Sequence, residues 1–375
     1  MIDEIRSQLQ NDETSSAVLW LTSEVRNSAT IRNDEIPLAL QRGMQNDGFF
    51  VVPVAAGGVG YGDVNDVVGP ASAHYNLGVW NMLRTQGTDA TAEDIRAVAN
   101  RVLEGRLKRL HATLDRGVPL RVGVFFANVP DASGYHLLME WTHVTRPDKS
   151  LLESDIILRW LPALLDLRDA IARHASGRAV EFTGQIPIPC ATLLGSAFSE
   201  TSGIEVRWLP PQNPGQFWSI RESREPTGFI VKEGPATSEG DALAILVSFR
   251  SDAIADYTAS LNSLGVRFRK SYLVLPPQDS KVFMFKVPGQ ASDLAWQISE
   301  LITNARAEFA GVRSVHLFMA LPVGIALLIG QLLNRLGAVQ LYNHSPANDP
   351  PYTPALPPYT PHALDLGLNR MVADS

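Results

Sequence analysis

The chain has 375 residues, enough for two domains or more, and 45% of them are hydrophobic and 19% charged, as in a globular protein with a substantial core. The formal net charge of −7 argues against a protein that binds nucleic acid along its whole surface, so no DNA partner is expected. A local basic pocket for a small phosphorylated ligand is still compatible with this charge. The single cysteine, Cys190, excludes an intramolecular disulfide and a multi-cysteine zinc site.

Targeting and metal-binding signals are absent from the sequence. The first ten residues, MIDEIRSQLQ, are charged and lack the apolar stretch of a signal peptide, which predicts a cytoplasmic protein. The eight histidines show no metal-ligand spacing, so no metal site is expected. Cys190 lies at the apolar start of a predicted helix, which favours a buried structural thiol over a nucleophile.

Helices and strands alternate over the first hundred residues. Residues 2–10 have helical spacing, and buried strands are predicted at 17–22 (AVLWLT) and 48–56 (GFFVVPVAA). Between these strands, NDEIPLALQRGM predicts a helix with Asn33 or Asp34 as its N-cap. A long amphipathic helix is expected at 91–114, opened by a capping box of Thr91 and Asp94. Near-continuous apolar strands between helices are typical of a parallel sheet covered on both faces.

A joint is predicted at DRGVPL, residues 115–120, followed by further alternation. Its expected strands are LRVGVFFANV, YHLLMEWTHV, DALAILVSF, KSYLVLPP and KVFMFKV. One helix is expected at 157–175 and another within RSDAIADYTASLNSLG, after a short loop. A third helix is expected to end at residue 309. The proline-rich segment NDPPYTPALPPYTP cannot form a regular helix or a central strand, which leaves a wrapped extension or a disordered tail.

The most apolar run of the chain, at residues 314–337, raises the question of a membrane span. Pro322 and Gly324 interrupt this run, and no basic cluster flanks it. A shift of 135 residues, which carries Gly195 onto Gly330, aligns it without a gap to residues 179–208. The earlier copy contains Glu181 and other polar residues, so it cannot cross a bilayer. The sequence therefore predicts one βαβ unit used twice, as buried core, and no membrane association.

Several segments between about residue 117 and 362 are distinctive: MEWTHV, WLPALLDLRDAI, VEFTGQIPIPCATLLGSAF, the pair Phe217–Trp218, and VHLFMALPVGIALLIGQLL with VQLYNHSPANDPPYTPAL. In these segments the chain resembles the SAVED domains, sensors of cyclic oligonucleotides in bacterial anti-phage signalling systems of the CBASS type. The resemblance implies a SAVED domain over 117–375, built from two fused CARF-like Rossmann halves that the two βαβ copies represent.

Two segments of residues 1–114, VLWLTSEVRNSATIRNDEIPLALQR and FFVVPVAA, follow each other as strand, loop, helix and strand. With them, residues 1–114 resemble the later part of a TIR domain. The first segment is similar to the TIR strand that leads through a serine-containing loop into a helix carrying a glutamate, and the second is similar to the next TIR strand. The resemblance implies an α/β fold with a partial, flavodoxin-like parallel sheet that lacks the first strand, helix and loop. It makes Glu35 the candidate catalytic carboxylate for cleavage of NAD, since a carboxylate stabilises an oxocarbenium-like state. A charge at a helix N-terminus is also ordinary helix chemistry.

Ligands of open α/β sheets bind at the carboxyl ends of strands, over helix N-termini, which selects three loops after the predicted strands. Arg250 and Ser251 are expected to hold a phosphate there, and three aromatic residues to stack on adenine, although each aromatic is equally compatible with core packing. The candidate ligand-binding residues are Gly184, Gln185, Pro187, Trp218, Ser248, Arg250, Ser251, Leu321, Pro322, Tyr342 and Tyr352.

Together the resemblances imply an NAD hydrolase that a cyclic oligonucleotide activates, with cyclic tri-adenylate as the expected messenger and NAD as substrate, not cofactor. Ligand binding is expected to drive head-to-tail assembly into an oligomer or filament, because a heterologous contact that does not close gives an open array. A non-catalytic sensor that recruits a partner is the alternative. A nucleotide-using α/β enzyme is a weaker third reading, since no glycine-rich phosphate fingerprint occurs.

Overall fold

The structure is a computed structural model in which the chain divides into two units. It describes residues 4, 7–9, 15–45, 49–77, 80, 82–128, 134–142, 154–175, 177–211, 215–237, 239–249, 253–277, 285–334 and 336–361, with only the backbone at 154–159. The first unit comprises Met1–Leu114 with Arg173–Ala175, and the second comprises Asp115–Ala172 with Ser176–Ser375. The helix predicted at residues 2–10 lies largely outside the described residues.

The first unit contains a three-stranded parallel sheet in the order β1-β2-β3. Its strands are β1 (Ser16–Leu21), β2 (Phe50–Ala55) and β3 (Leu83–Arg84). Its helices are α1 (Ile36–Met44), α2 (Val64–Val68) and α3 (Ala92–Thr113), with short 3₁₀ segments at Ser23–Asn27 and Gly69–Ala73. The strands β1 and β2 and the helix α3 confirm the sequence prediction. The two-residue β3 and the single-turn α2 were not predicted, because neither is long enough to show the hydrophobic period of a strand or a helix.

The helix that leads into α1 begins earlier than the sequence predicts, so the N-cap expected at Asn33 or Asp34 is wrong. Ser28 Oγ accepts a hydrogen bond from the Ile31 N–H at 3.3 Å, and the helical backbone begins at residue 29. A π-turn at Ile31–Glu35 then widens the helix before α1. Pro37 has no N–H, so it cannot donate the α-helical hydrogen bond to the preceding turn. The loss of this bond explains why the turn contains one residue more than an α-helical turn.

The capping box at the start of α3 is confirmed. Thr91 Oγ1 accepts from the Asp94 N–H at 3.1 Å, and Asp94 Oδ2 accepts from the Thr91 N–H at 3.0 Å. The Thr91 hydroxyl also donates to Asp94 Oδ2 at 2.7 Å. This bond, followed by the bond from the Thr91 N–H, lowers the pKa of Asp94, because both favour the charged carboxylate.

The second unit begins with a four-stranded, all-parallel sheet in the order β5-β4-β6-β7. The strands are β4 (Leu120–Phe125), β5 (Leu137–Glu140), β6 (Val180–Gln185) and β7 (Val206–Trp208). The helices are α4 (Ser154–His174) and α5 (Ile188–Ala197). The strand expected through MEWTHV ends at Glu140, and residues 143–150 lie outside the described part of the chain.

A six-stranded sheet follows in the order β13-β12-β11-β9-β10-β8, parallel except for its two edge strands. The strands are β8 (Ile230–Glu233), β9 (Ala242–Ser248), β10 (Phe268–Leu275), β11 (Ser314–Ala320), β12 (Ala338–His344) and β13 (Tyr352–Pro354). The helices are α6 (Ala253–Ser260), α7 (Pro288–Glu308) and α8 (Val323–Gln331). Of the strand expected at KVFMFKV, residues 281–284 lie outside the described residues, and the remainder is not strand.

The two halves of the second unit share one topology. The parallel order β5-β4-β6-β7 of the first half matches β10-β9-β11-β12 in the second, strand for strand. The predicted βαβ copies are β6-α5-β7 and β11-α8-β12, so the repeat seen in the sequence is the later portion of each half. This confirms the Rossmann-like, two-half architecture.

The helices α5 and α8 cross with their backbones in contact. A Cβ built on Gly195 would lie 2.0 Å from the Leu327 carbonyl oxygen, and one built on Gly330 would lie 2.1 Å from the Thr192 carbonyl oxygen. The shift of 135 residues carries Gly195 onto Gly330 and Thr192 onto Leu327. The crossing is therefore symmetric, because each glycine meets the equivalent carbonyl group of the other helix. Ser196 Oγ (3.3 Å to the Gly330 carbonyl) adds a hydrogen bond across it.

The apolar run that contains α8 lies in the core, as predicted. Eight of the nine residues of α8 are buried, and its flanking strand β11 is buried from Val315 onward. Within the part of the chain that is described, no helix is both long and apolar enough to cross a membrane.

The proline-rich tail is a wrapped extension. Its strand β13 pairs antiparallel with β12 at the sheet edge, and Tyr359 bridges to Val339. The buried Tyr359 hydroxyl lies 3.1 Å from Ser196 Oγ, which ties the tail to helix α5. Prolines fit here because an edge strand does not need every N–H.

Substituting Gly195 with valine tests the helix crossing. We expect Gly195→Val to lower the free energy of unfolding by about 3 kcal/mol, the upper end of the range for overpacked cores, since its Cβ meets backbone atoms. Gly330→Val should cost about as much, because it meets the equivalent carbonyl. Denaturant unfolding measures both. Gly134→Val is the control, since nothing lies within 4 Å of its Cβ position. Unfolding midpoints equal to that of the wild type would contradict the crossing.

Candidate functional site

A cavity of about 520 Å³ opens where strands of both halves end. It is lined by residues 126–127, 184–187, 208, 210–211, 218 and 321–324. Residues 184–187 run from the end of β6 to the N-cap of α5, and residues 321–324 run from the end of β11 into the first turn of α8. The two copies of the βαβ unit therefore contribute equivalent loops to one cavity, and its volume is within the range of small-molecule sites.

The two loops have the same backbone geometry. Pro187 (φ −57°, ψ 142°) and Pro322 (φ −60°, ψ 138°) occupy the N-cap positions of α5 and α8. The N–H groups in the first turn of a helix have no partner within the helix, and the helix dipole makes that end positive. Both helices therefore present positive ends at the cavity, an arrangement that suits an anionic ligand such as a phosphate.

Two glycines allow the cavity walls to approach closely. Gly184 has φ 148°, and a Cβ there would lie 1.9 Å from the Val124 carbonyl oxygen of the neighbouring strand. A Cβ on Gly324 would lie 2.2 Å from Cδ1 of Trp208. The Trp208 ring, from the first half, can therefore lie against the start of α8, from the second half.

Two tryptophans stand on the same wall and are joined through their backbones. The N–H of Trp208 donates to the Trp218 carbonyl, and the N–H of Trp218 donates to the Trp208 carbonyl, each at 2.8 Å. Trp208 is buried, whereas Trp218 is half-buried. An indole face at such a wall is suited to stacking on a nucleobase.

The described lining of the cavity is uncharged, and Arg207, on the same strand as Trp208, is paired with a carboxylate. Among the described residues, no charged side chain lines the cavity, and Gln185 supplies an exposed amide. Arg207 lies behind the tryptophan wall, with its guanidinium 4.3 Å from the ring centre of Phe217. It is paired with Glu205 at 2.7 Å, so it adds little net charge to the cavity.

The cavity brings together six of the residues predicted to bind the ligand. These are Gly184, Gln185, Pro187, Trp218, Leu321 and Pro322.

Ser248 does not line the cavity. It is fully buried at the end of β9, where it pairs in register with Ala320 of β11. Arg250 and Ser251 lie outside the described residues.

Tyr342 and Tyr352 lie in the hydrophobic core of the six-stranded sheet, not at the cavity, because their strands turn these rings onto Phe318. Tyr342 stacks on Phe318 at 4.1 Å, and its hydroxyl lies 2.8 Å from His316 Nδ1. Burial lowers the pKa of His316 to about 4 and raises that of Tyr342, so both groups are neutral at neutral pH. The expectation that these tyrosines stack on adenine does not agree with this burial.

Sequence reasoning missed several residues of the cavity, among them Phe126, Trp208 and Gly324. A signal for the first two was available, since Phe126 directly follows β4 and Trp208 ends β7, and the carboxyl ends of parallel strands share one edge. No comparable signal existed for Gly324, because its contact with Trp208 joins the two halves.

Cys190 is fully buried in the first turns of α5, and burial raises the pKa of its thiol. The thiol is therefore a poor nucleophile, as the sequence predicted. Within the described ranges, no group of histidine, cysteine, aspartate and glutamate side chains is arranged to hold a metal ion.

Glu35, the candidate catalytic carboxylate, lies in the first unit at the end of the π-turn that follows β1. Its side chain is half-buried. The neighbouring Arg32 is held by carbonyl oxygens, those of Arg26 at 3.2 Å and Asp66 at 3.4 Å. A Cβ on Gly69 would lie 2.2 Å from the Arg32 guanidinium, so a glycine is needed for this contact.

Two Rossmann-like halves that share one cavity define the second unit as a two-half α/β domain. Residues 163–357 match the family model of SAVED, the "SMODS-associated and fused to various effectors sensor domain". The chain belongs to this family.

Several solved structures are similar to the chain, and the two with TM-scores above 0.5 agree on the fold. The SAVED/CARF-domain containing receptor Cap4 of Acinetobacter baumannii, solved with the cyclic trinucleotide 3′3′3′-cAAA, is 17% identical, with a TM-score of 0.52 over 70% of this chain and 56% of that one. Its structure with 2′3′3′-cAAA gives the same TM-score and identity. The Cap4 receptor of Moraxella osloensis is 13% identical, with a TM-score of 0.48 over 95% of this chain and 83% of that one. The chain thus spans little more than half the length of the Acinetobacter receptor. A comparison with curated proteins finds no match.

Proposed function

We propose that the second unit is a receptor for a cyclic oligonucleotide messenger, with cyclic tri-adenylate as its ligand. The observation that carries the proposal is the meeting of two equivalent helix N-termini at one cavity beside Trp208 and Trp218. The binding of cyclic trinucleotides by the Acinetobacter Cap4 receptor, which shares the fold, supports the choice of ligand.

The phosphates and the adenines of the ligand contact different parts of the cavity: the phosphates contact the helix N-termini, and an adenine contacts the tryptophan wall. Phosphates of the ring accept hydrogen bonds from backbone N–H groups in the first turns of α5 and α8, where the helix dipoles favour negative charge. In α5 the second residue, Pro189, has no N–H, so fewer donors are available there than in α8. An adenine stacks on the exposed part of the Trp218 indole. None of the described residues that line the cavity is a carboxylate, so these residues do not repel the phosphates.

Replacing the indole of Trp218 should weaken binding. We expect Trp218→Leu to raise the Kd for cyclic tri-adenylate about tenfold, the loss of one base stack. Titration calorimetry on purified chains gives both Kd and stoichiometry. Trp20→Leu is the matched control, because this half-buried indole belongs to the first unit. Absence of wild-type binding, or equal Kd values for wild type and Trp218→Leu, would contradict the site.

We further propose that the first unit is a TIR-like effector that hydrolyses NAD in the cytoplasm when the receptor is occupied, as part of anti-phage signalling of the CBASS type. Its parallel sheet and the position of Glu35 after β1 support the proposal. The π-turn that carries Glu35 is a second support. Such turns are rare in proteins as a whole, and those that occur are frequently found at functional sites. The carboxylate stabilises the cationic ribose as the nicotinamide bond breaks.

A receptor that recruits a partner without catalysis is the alternative, and removal of the Glu35 charge separates the two. We expect cyclic tri-adenylate to induce NAD hydrolysis by the wild type, and Glu35→Gln to reduce the rate by at least about a hundredfold. Glu93→Gln, in the first turn of α3, is the control and keeps the activity. Full activity in Glu35→Gln would exclude the catalytic role, and tight ligand binding without hydrolysis by the wild type would favour the recruiting receptor.

The same ligand is proposed to assemble the chain head to tail, since two similar halves offer unlike surfaces to successive copies. Light scattering should then show a rise in mass at saturating cyclic tri-adenylate, and none with AMP. An unchanged mass at saturation would contradict the assembly and leave binding itself intact.

A further inference from the structure

Four partly exposed aromatic rings form a row that begins at the cavity. This aromatic row consists of Trp218, Phe285, Phe249 and Phe229. Neighbouring ring centres are 5.6, 5.3 and 5.0 Å apart, and the rings are tilted by 42° to 58°. Each ring is half-buried, so part of each is exposed beside its neighbour.

The row follows the edge of the second sheet at which the ligand loops lie. The Phe249 N–H donates to the Ala320 carbonyl at 2.9 Å, directly before the loop of residues 321–324. Phe249 is therefore fixed at the carboxyl end of β9, beside the cavity wall. Phe285 precedes α7, and Phe229 precedes the edge strand β8.

The segment that carries Trp218 is held firmly on α7. Ser292 Oγ donates to the Ile220 and Glu222 carbonyls, and Trp296 Nε1 donates to the Ile220 carbonyl at 3.1 Å. The buried carboxylate of Asp293 accepts from the Thr227 N–H at 3.1 Å. This end of the row is therefore preorganised, and ordering it costs a ligand little.

The aromatic row adds a binding surface next to the cavity. A volume of about 520 Å³ suits one drug-sized ligand. Trp218 lines the cavity and contacts Phe285, so a base of the ligand that extends past Trp218 meets the row. The aromatic row is a surface that begins on the cavity wall, continues along the same sheet edge, and offers rings that any base can stack on.

We propose that the aromatic row is a base-stacking surface that extends the ligand site beyond the cavity and favours cyclic trinucleotides over cyclic dinucleotides. The proposal rests on the receptor function proposed above. Trp218 holds a base at the cavity, and Phe285 and Phe249 contact a further base that a dinucleotide cannot place there.

The test compares two ligands on single substitutions. We expect Phe249→Leu and Phe285→Leu each to raise the Kd for cyclic tri-adenylate about tenfold, while the Kd for cyclic di-adenylate changes less than about twofold. Phe285→Tyr, which keeps an aromatic face, should retain the wild-type ratio of the two Kd values. Tyr272→Leu is the matched control, a half-buried ring of β10 outside the row.

Two results would overturn the row as a binding surface. One is wild-type affinity for cyclic tri-adenylate in both leucine variants. The other is an equal loss for both ligands, which would indicate that the rings only pack the loops. Absence of wild-type binding to either ligand would instead overturn the receptor function itself, so the two failures are distinguishable.

Discussion

The crossing of α5 and α8 is the contact on which the second unit depends. Glycines at 195 and 330 let the two backbones touch, each against a carbonyl oxygen of the opposite helix. Any side chain at these positions would separate the helices. Because both contacts are related by one shift along the sequence, the two halves approach symmetrically, and the loops that precede the helices arrive at the same place.

The cavity follows from this geometry. In a parallel α/β sheet the strand ends and the helix starts share one edge, so joining two such sheets through their equivalent helices joins their two ligand edges. The walls then differ where the copies differ. Trp208 of the first copy corresponds to Asn343 of the second, and Gly324 corresponds to Pro189. These differences place an indole on only one side, so a symmetric framework forms an asymmetric site.

Much of this could be predicted from the sequence, for reasons that concern particular residues. The gapless alignment of Gly195 with Gly330 reveals the repeat, and loops after repeated strands select Pro187 and Pro322. The burial of Tyr342 and Tyr352 could not be predicted, because an aromatic residue on a strand gives the same sequence pattern whether its ring faces the core or a ligand. The early start of the helix before α1 was hidden as well, since a π-turn adds a residue that a 3.6-residue period does not anticipate.

The central claim is that one ligand touches equivalent loops from both halves, and hydrogen–deuterium exchange tests it most directly. Exchange of the backbone N–H groups of the full chain would be followed by mass spectrometry, with and without saturating cyclic tri-adenylate. The account predicts slower exchange both in peptides that contain residues 186–190 and in peptides that contain residues 321–325, because the phosphates accept hydrogen bonds from the N–H groups that begin the two helices. Protection confined to one of these segments, or found only in the first unit, would contradict it.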